Sequence, residues 1–317
     1  MDVDAAGRTR PPELPSTIFL ALADEFFDSK GDPVSFYMRK KRNTQDDPFD
    51  ELVRRVLVDR LAHDDGLLVA ESGKLTSPDA VVARRDEYDL LLQGGADFDT
   101  RAICGVEVKK LELKKNGKKV SRAAGMDFNS TPPCATVRVY SAAGAPLRIP
   151  CYYVFALLVQ LEEADEEDIW EVRALVMTAG SALNTDQKLY DDVTGIRTKS
   201  IGLGSYGDGA DRERPMLLFA NPLGWDWTLR SATLISDRDD LAAEHPLTHV
   251  RDITRSTVSE AEARFHCYRL SSLNPPKEDT VADPFPSPHS RSTKTTPRGK
   301  FVVKVDKIRT AIQPPLG

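Results

Sequence analysis

Residues 102–112 read AICGVEVKKLE. Ile103, Cys104, Val106 and Val108 predict an apolar strand over 102–109 that closes on Glu107-Val108-Lys109. Side chains two apart on a strand share a face, so Glu107 and Lys109 project together while Val106 and Val108 face the opposite layer. An acid-x-Lys triplet is common in itself, and Asp28-x-Lys30, Glu112-x-Lys114 and Asp186-x-Lys188 repeat it. The setting distinguishes Glu107-x-Lys109, because it ends an apolar strand and follows Ser77-Pro78-Asp79, which opens another, DAVVAR at 79–84.

Working outward, the spacing predicts a helix over 48–63. Asp47 caps it, Pro48 suits its first turn, and Phe49, Leu52, Val53, Val56, Leu57 and Leu61 recur at helical intervals, so one face enters a core. Further short apolar runs predict strands at 66–71, 88–93, 135–140 and 151–161, the last apolar almost throughout. A helix feeding several strands, with one strand that apolar, predicts an α/β protein. Its architecture is a mixed central sheet flanked by helices, with additional C-terminal elements. Residues 1–16, acidic and then Pro-rich, read as a flexible leader, and 17–273 as one mixed domain. Residues 274–300 read as a Pro/Ser/Thr-rich linker or loop, and 301–317 as a basic strand or tail.

The chain has 317 residues, 40% of them hydrophobic and 29% charged, which is ordinary globular composition and excludes collagen-like or wholly disordered classes. No apolar run approaches the roughly 20 residues of a membrane span, and no secretory pattern opens the sequence, so a cytoplasmic protein is expected. Cys104, Cys134, Cys151 and Cys267 are scattered without a CxxC pair, which predicts reduced thiols and no structural zinc built on them. The net charge is −6, yet residues 101–122 carry eight basic side chains against Glu107 and Glu112, and residues 291–309 carry seven against Asp306. Arg39, Lys40, Lys41 and Arg42 form a third basic group, while acid gathers at 162–168. Such polarity suits a protein that holds a polyanion on one side, although each Lys run also reads as a solvated turn.

Asp79 and Glu107 together supply hard oxygen ligands of the kind Mg²⁺ prefers, leaving positions for water and a phosphate oxygen. Lys109 on the same face suits an attacking water and the charge that develops on phosphorus. Asp50 or Glu51 on the upstream helix is either a further acid that orients water or, for Asp50, a capping residue.

Pro78-Asp79-Ala80 followed by Glu107-Val108-Lys109-Lys110 resembles the PD-(D/E)xK nuclease pattern, and the surroundings look like the NgoPII-like group of type II restriction endonucleases. Asp50-Glu51 on a helix, FNS at 128–130, Arg214-Pro215-Met216 and GWDW at 224–227 extend the likeness over residues 17–230. The resemblance implies a restriction-endonuclease-like α/β core, with Asp79, Glu107 and the backbone carbonyl of Val108 as metal ligands and Lys109 as the catalytic lysine. It implies Mg²⁺, with Mn²⁺ as a substitute, and hydrolysis of both strands of a short palindromic DNA site to 5′-phosphate ends. A homodimer matches such a site, and a separate DNA methyltransferase completes the restriction–modification system. The 27 residues between the two acids, with a strand predicted at 88–93, also admit Asp89 as the first acid. A repair or recombination nuclease and a noncatalytic DNA-binding protein on the same scaffold are the alternatives.

Under this reading DNA contacts fall to Arg39, Lys40, Lys110, Lys114, Lys115, Lys118, Lys119 and Arg122, to Arg212 and Arg214, and to Asn129, Ser130 and Arg138. GxGxxG at 202–207 lacks the strand and helix a dinucleotide fold requires and reads as a loop. His245 and His249 have the i, i+4 spacing of a helical metal pair, but Pro246 and the missing Glu of HExxH argue against one. Trp225 and Trp227 read as packing residues on a strand.

Overall fold

A computed structural model describes residues 12–43, 46–61, 66–71, 76–85, 100–114, 136–140, 146–183, 232–256, 262–270 and 299–302. Helix α1 (Leu14–Phe26) is followed by β1 (Ser35–Arg39), α2 (Pro48–Leu61), β2 (Leu67–Glu71), β3 (Thr76–Ser77), β4 (Ala80–Arg84) and β5 (Ile103–Lys114). Then come β6 (Thr136–Tyr140), β7 (Pro146–Glu162), β8 (Glu167–Ala179), the single turn α3 (Gly180–Leu183) and β9 (Ala232–Ser236). The turn α4 (Leu241–Glu244), β10 (Leu247–Ser256), β11 (Glu262–Leu270) and β12 (Gly299–Val302) complete the described elements. No helix among the described residues is long and apolar enough to cross a membrane.

The protein is α/β, with one large, mixed and mostly antiparallel sheet. Its main path runs β10-β11-β9-β8-β7-β5-β4-β2. Parallel pairs join β5 to β7 and β8 to β9, while β2–β4, β4–β5 and β7–β8 are antiparallel. Strand β7 is the spine: Pro146–Pro150 pairs with β6, Cys151–Gln160 pairs with β5, and β8 lines the edge opposite β5. Cys151 through Val159 are all buried, with Tyr153, Phe155 and Leu157 in one core layer and Tyr152, Val154, Ala156 and Leu158 in the other. Burial on both faces is the reason this segment is apolar without alternation.

Helices α1 and α2 cover the second layer. Helix α2 buries the six predicted apolar residues, and its Phe49 ring lies 5.8 Å from that of Phe26 on α1. Asp47 caps α2, its Oδ1 accepting the Phe49 N–H at 3.1 Å. The predicted strands at 66–71, 79–84 and 135–140 match β2, β4 and β6 within a residue at each end. Strand β5 runs to Lys114, past the predicted end at 109, because β7 offers it partners as far as Gln160 and the core takes in Leu113. The N-terminal expectation differs more. Helix α1 starts at Leu14, inside the segment read as a leader, because Leu14, Ile18, Phe19, Leu22 and Phe26 bury one face under a Pro-marked first turn. The predicted strand at 88–93 and residues 62–63 lie outside the described residues.

Candidate active site

The β4–β5 register decides where the sequence-predicted residues meet. Ala80 pairs with Val106 and Val81 with Gly105, so Asp79, one residue before β4, comes alongside Glu107. Oδ2 of Asp79 accepts the backbone N–H of Val108 at 2.7 Å, which ties the Pro78-Asp79 bend to the end of the Glu-Val-Lys segment. Gly105 lets this bend approach. A Cβ there would stand 3.2 Å from Cγ of Pro78 and 3.1 Å from Cγ1 of Val137, so the missing side chain makes room for both.

Glu107 is 1% exposed, and its Oε1 accepts from Nζ of Lys109 at 2.6 Å. The same ammonium donates to the carbonyl oxygen of Val108 at 3.1 Å. Thus Lys109 engages two of the three groups that the resemblance assigns to a metal. The donor set of Asp79, Glu107 and the Val108 carbonyl is hard oxygen throughout and suits Mg²⁺.

Asp50 joins from α2. Burial raises its carboxyl well above the ordinary aspartate range, the charges of Asp79 and Asp47 raise it further, and Lys110 and Lys109 oppose the shift. The observed capping bond belongs to Asp47, while Asp50 lies near enough to Asp79 and Asp47 to feel their charges. Glu51 points elsewhere, pairing with Arg39.

Lys110, next to Lys109, has the opposite orientation. Its Nζ lies 2.5 Å from Asp47 and 2.7 Å from Glu112, with the Phe49 ring 5.8 Å away, so it fastens α2 to β5 beneath the site. Arg39 forms a two-pronged pair with Asp46, at 2.6 and 2.8 Å, and also reaches Glu51. Lys40 lies 3.8 Å from Asp168, and Lys41 lies 3.7 Å from Asp47. The basic group at 39–42 therefore stands among carboxylates. Lys114 and Arg138 lie on β5 and β6. Asp89, Lys115, Lys118, Lys119, Arg122, Asn129, Ser130, Arg212, Arg214, the GxGxxG segment and both tryptophans of GWDW lie outside the described residues.

Comparison with protein-family models, with curated proteins and with solved structures finds no match for this chain.

Proposed function

We propose that the chain is a Mg²⁺-dependent deoxyribonuclease that hydrolyses both strands of double-stranded DNA at a specific short palindrome, the restriction component of a restriction–modification system. The observation that carries this reading is the convergence, on the β4–β5 pair, of Asp79, Glu107, the Val108 carbonyl and Lys109. These are the residues that the PD-(D/E)xK resemblance singles out, and residues 28 positions apart meet there through strand pairing. A restriction-endonuclease-like core around β2, β4, β5 and β7 belongs to the same proposal, as do a homodimeric state and the basic segments as phosphate contacts.

When bound, Mg²⁺ supplies Lewis-acid polarisation of a phosphate oxygen and a more acidic water. The chain's own residues do the rest. Asp79 and Glu107 hold the hard-oxygen donors in register, and the Val108 carbonyl adds a neutral donor between them. Lys109, once released from Glu107, donates to the attacking water or to the phosphate and offsets the charge gained there. Asp50, on α2 near Asp79, is assigned the orienting of solvent. Lys110 leaves the chemistry to its neighbour and holds the helix that carries Asp50.

The test is incubation of purified protein with unmethylated plasmid DNA, with and without Mg²⁺, followed by sequencing of fragment ends. Discrete Mg²⁺-dependent fragments with 5′-phosphates, abolished in Lys109→Ala while DNA binding persists, support the reading. Intact DNA in Mg²⁺ and Mn²⁺, or full cleavage by Lys109→Ala, overturns it; structure-dependent nicking would mark a repair nuclease instead.

A further inference from the structure

A second cluster of ligating side chains lies on the hairpin β10–β11. Strand β10 ends the main path of the sheet and pairs antiparallel with β11. Asp252 stands opposite His266, and His249 opposite Tyr268. Three residues apart on a regular strand, His249 and Asp252 would point to opposite faces. The register shift between His249 and Arg251 inserts an extra residue, Val250, and turns them to the same face. There Nε2 of His249 lies 2.7 Å from Oδ1 of Asp252, and Nδ1 of His266 lies 2.8 Å from the same oxygen.

The neighbours fix the three groups. Arg264 places Nη1 3.5 Å from Oδ2 of Asp252, so Oδ1 is the oxygen turned to the imidazoles. The His249 ring meets Tyr268 edge-on at 5.6 Å, and the Tyr268 hydroxyl donates to the Arg238 carbonyl at 2.6 Å. His266 is the most enclosed of the three, whereas His249 and Asp252 open to solvent.

We propose that His249, Asp252 and His266 bind one divalent transition-metal ion of the Zn²⁺ class, clipping the edge strand β10 to β11. Two imidazole nitrogens and one carboxylate oxygen form a borderline-soft donor set that favours Zn²⁺ over Mg²⁺, which takes oxygen ligands. With metal–nitrogen bonds of about 2.0–2.1 Å, tetrahedral ligand atoms stand about 3.3 Å apart. The present separations therefore open by about half an ångström, within the reach of side-chain rotation alone. Ligation needs the nitrogen that faces Asp252 to be bare, so in the bound form each ring carries its proton on the other nitrogen, Nδ1 of His249 and Nε2 of His266. Solvent supplies the fourth position. This site shares no residue with the β4–β5 group and stands or falls without it.

The experiment is titration of the full chain, stripped with chelator, with Co²⁺ followed by visible absorption and with Zn²⁺ followed by calorimetry. One equivalent bound in a four-coordinate spectrum without thiolate charge transfer, a rise in melting temperature, and retention in excess Mg²⁺ are expected. His249→Ala and His266→Ala should each weaken binding by more than about 10-fold. Their circular dichroism in chelator should match the parent; were His266→Ala to misfold, the more exposed His249→Ala decides. Absence of saturable binding, displacement by Mg²⁺, thiolate bands, or undiminished affinity in folded His249→Ala overturns the proposal.

Discussion

The Nζ of Lys109 stands 2.6 Å from Oε1 of Glu107 and 3.1 Å from the carbonyl oxygen of Val108, so the lysine holds two oxygens that the nuclease reading gives to a metal. Ammonium and divalent cation compete for the same charge. Lys109→Met should therefore bind Mn²⁺ at the β4–β5 group tighter, by about 10-fold or more. The same variant should lose cleavage by about 10²–10⁴ if the lysine acts in proton transfer. Electron paramagnetic resonance of Mn²⁺ binding beside plasmid cleavage checks both halves. Weaker Mn²⁺ binding in the variant would refute the competition.

The acid on α2 makes a prediction about pH. Burial first, then Asp79 and Asp47, raises the Asp50 carboxyl above its value in the unfolded chain. An acid shifted this way contributes stability that is complete below the unfolded pKa and is lost as pH rises through the folded one. Asp50→Asn does not titrate. In chelator it should match the parent at acidic pH and melt higher towards neutral and alkaline pH, and Mg²⁺ should narrow the gap by favouring the parent's ionised carboxylate. Scanning calorimetry over a pH series reads this directly; a gap that shrinks as pH rises contradicts it.

Lys109 and Lys110 are chemically alike and adjacent, yet strand geometry separates their roles. Lys110 lies between Asp47 and Glu112, and Glu112 is 7% exposed. Removing one partner of an enclosed pair leaves the other charge uncompensated, at a cost of about 3–5 kcal/mol. Asp47 keeps contact with solvent, so Lys110→Met is expected to cost about 3 kcal/mol, the lower end of that range. Lys109→Met is expected to cost as much in chelator, because it strands Glu107, which is 1% exposed, but Mn²⁺ should restore that loss and not the loss in Lys110→Met. Urea denaturation of both variants with and without Mn²⁺ checks the contrast, and recovery of Lys110→Met by Mn²⁺ would remove its structural assignment.

Much of this was legible because the governing signals are local. The Asp47 cap and the six-residue apolar stripe of α2 lie within one helix, and alternation within 102–109 places Glu107 and Lys109 on one face of a single strand. What the sequence left open depends on pairing between distant segments. The nearness of Asp50 to Asp79 depends on how α2 is set against the sheet, and the pull of β7 on β5 as far as Lys114 is invisible in β5 alone. Helix α1 was hidden by its prolines, which suit a first turn as readily as a leader. The group at His249, Asp252 and His266 depends on one inserted residue in a strand pair. His245, whose pairing with His249 was argued against by Pro246, precedes β10, and burial lowers its pKa there.

Gly105 yields the last prediction, because nothing in the motif itself draws attention to it. Its strand face is closed by Pro78 at 3.2 Å, Val137 at 3.1 Å and Ile149 at 3.4 Å from where a Cβ would stand. Any side chain there pushes on the proline that precedes Asp79. Val137 and Ile149 belong to the buried core and have little room to retreat. Gly105→Val should therefore destabilise by about 1–3 kcal/mol through overpacking. By displacing the bend it should also loosen the Asp79 bond to the Val108 N–H, so that Mn²⁺ affinity falls even where the protein remains folded. Amide exchange at Val108, compared between the parent and Gly105→Val below the melting transition, isolates this effect. Unchanged protection of that amide would mean that Pro78 does not transmit the strain and that Asp79 is seated by other contacts.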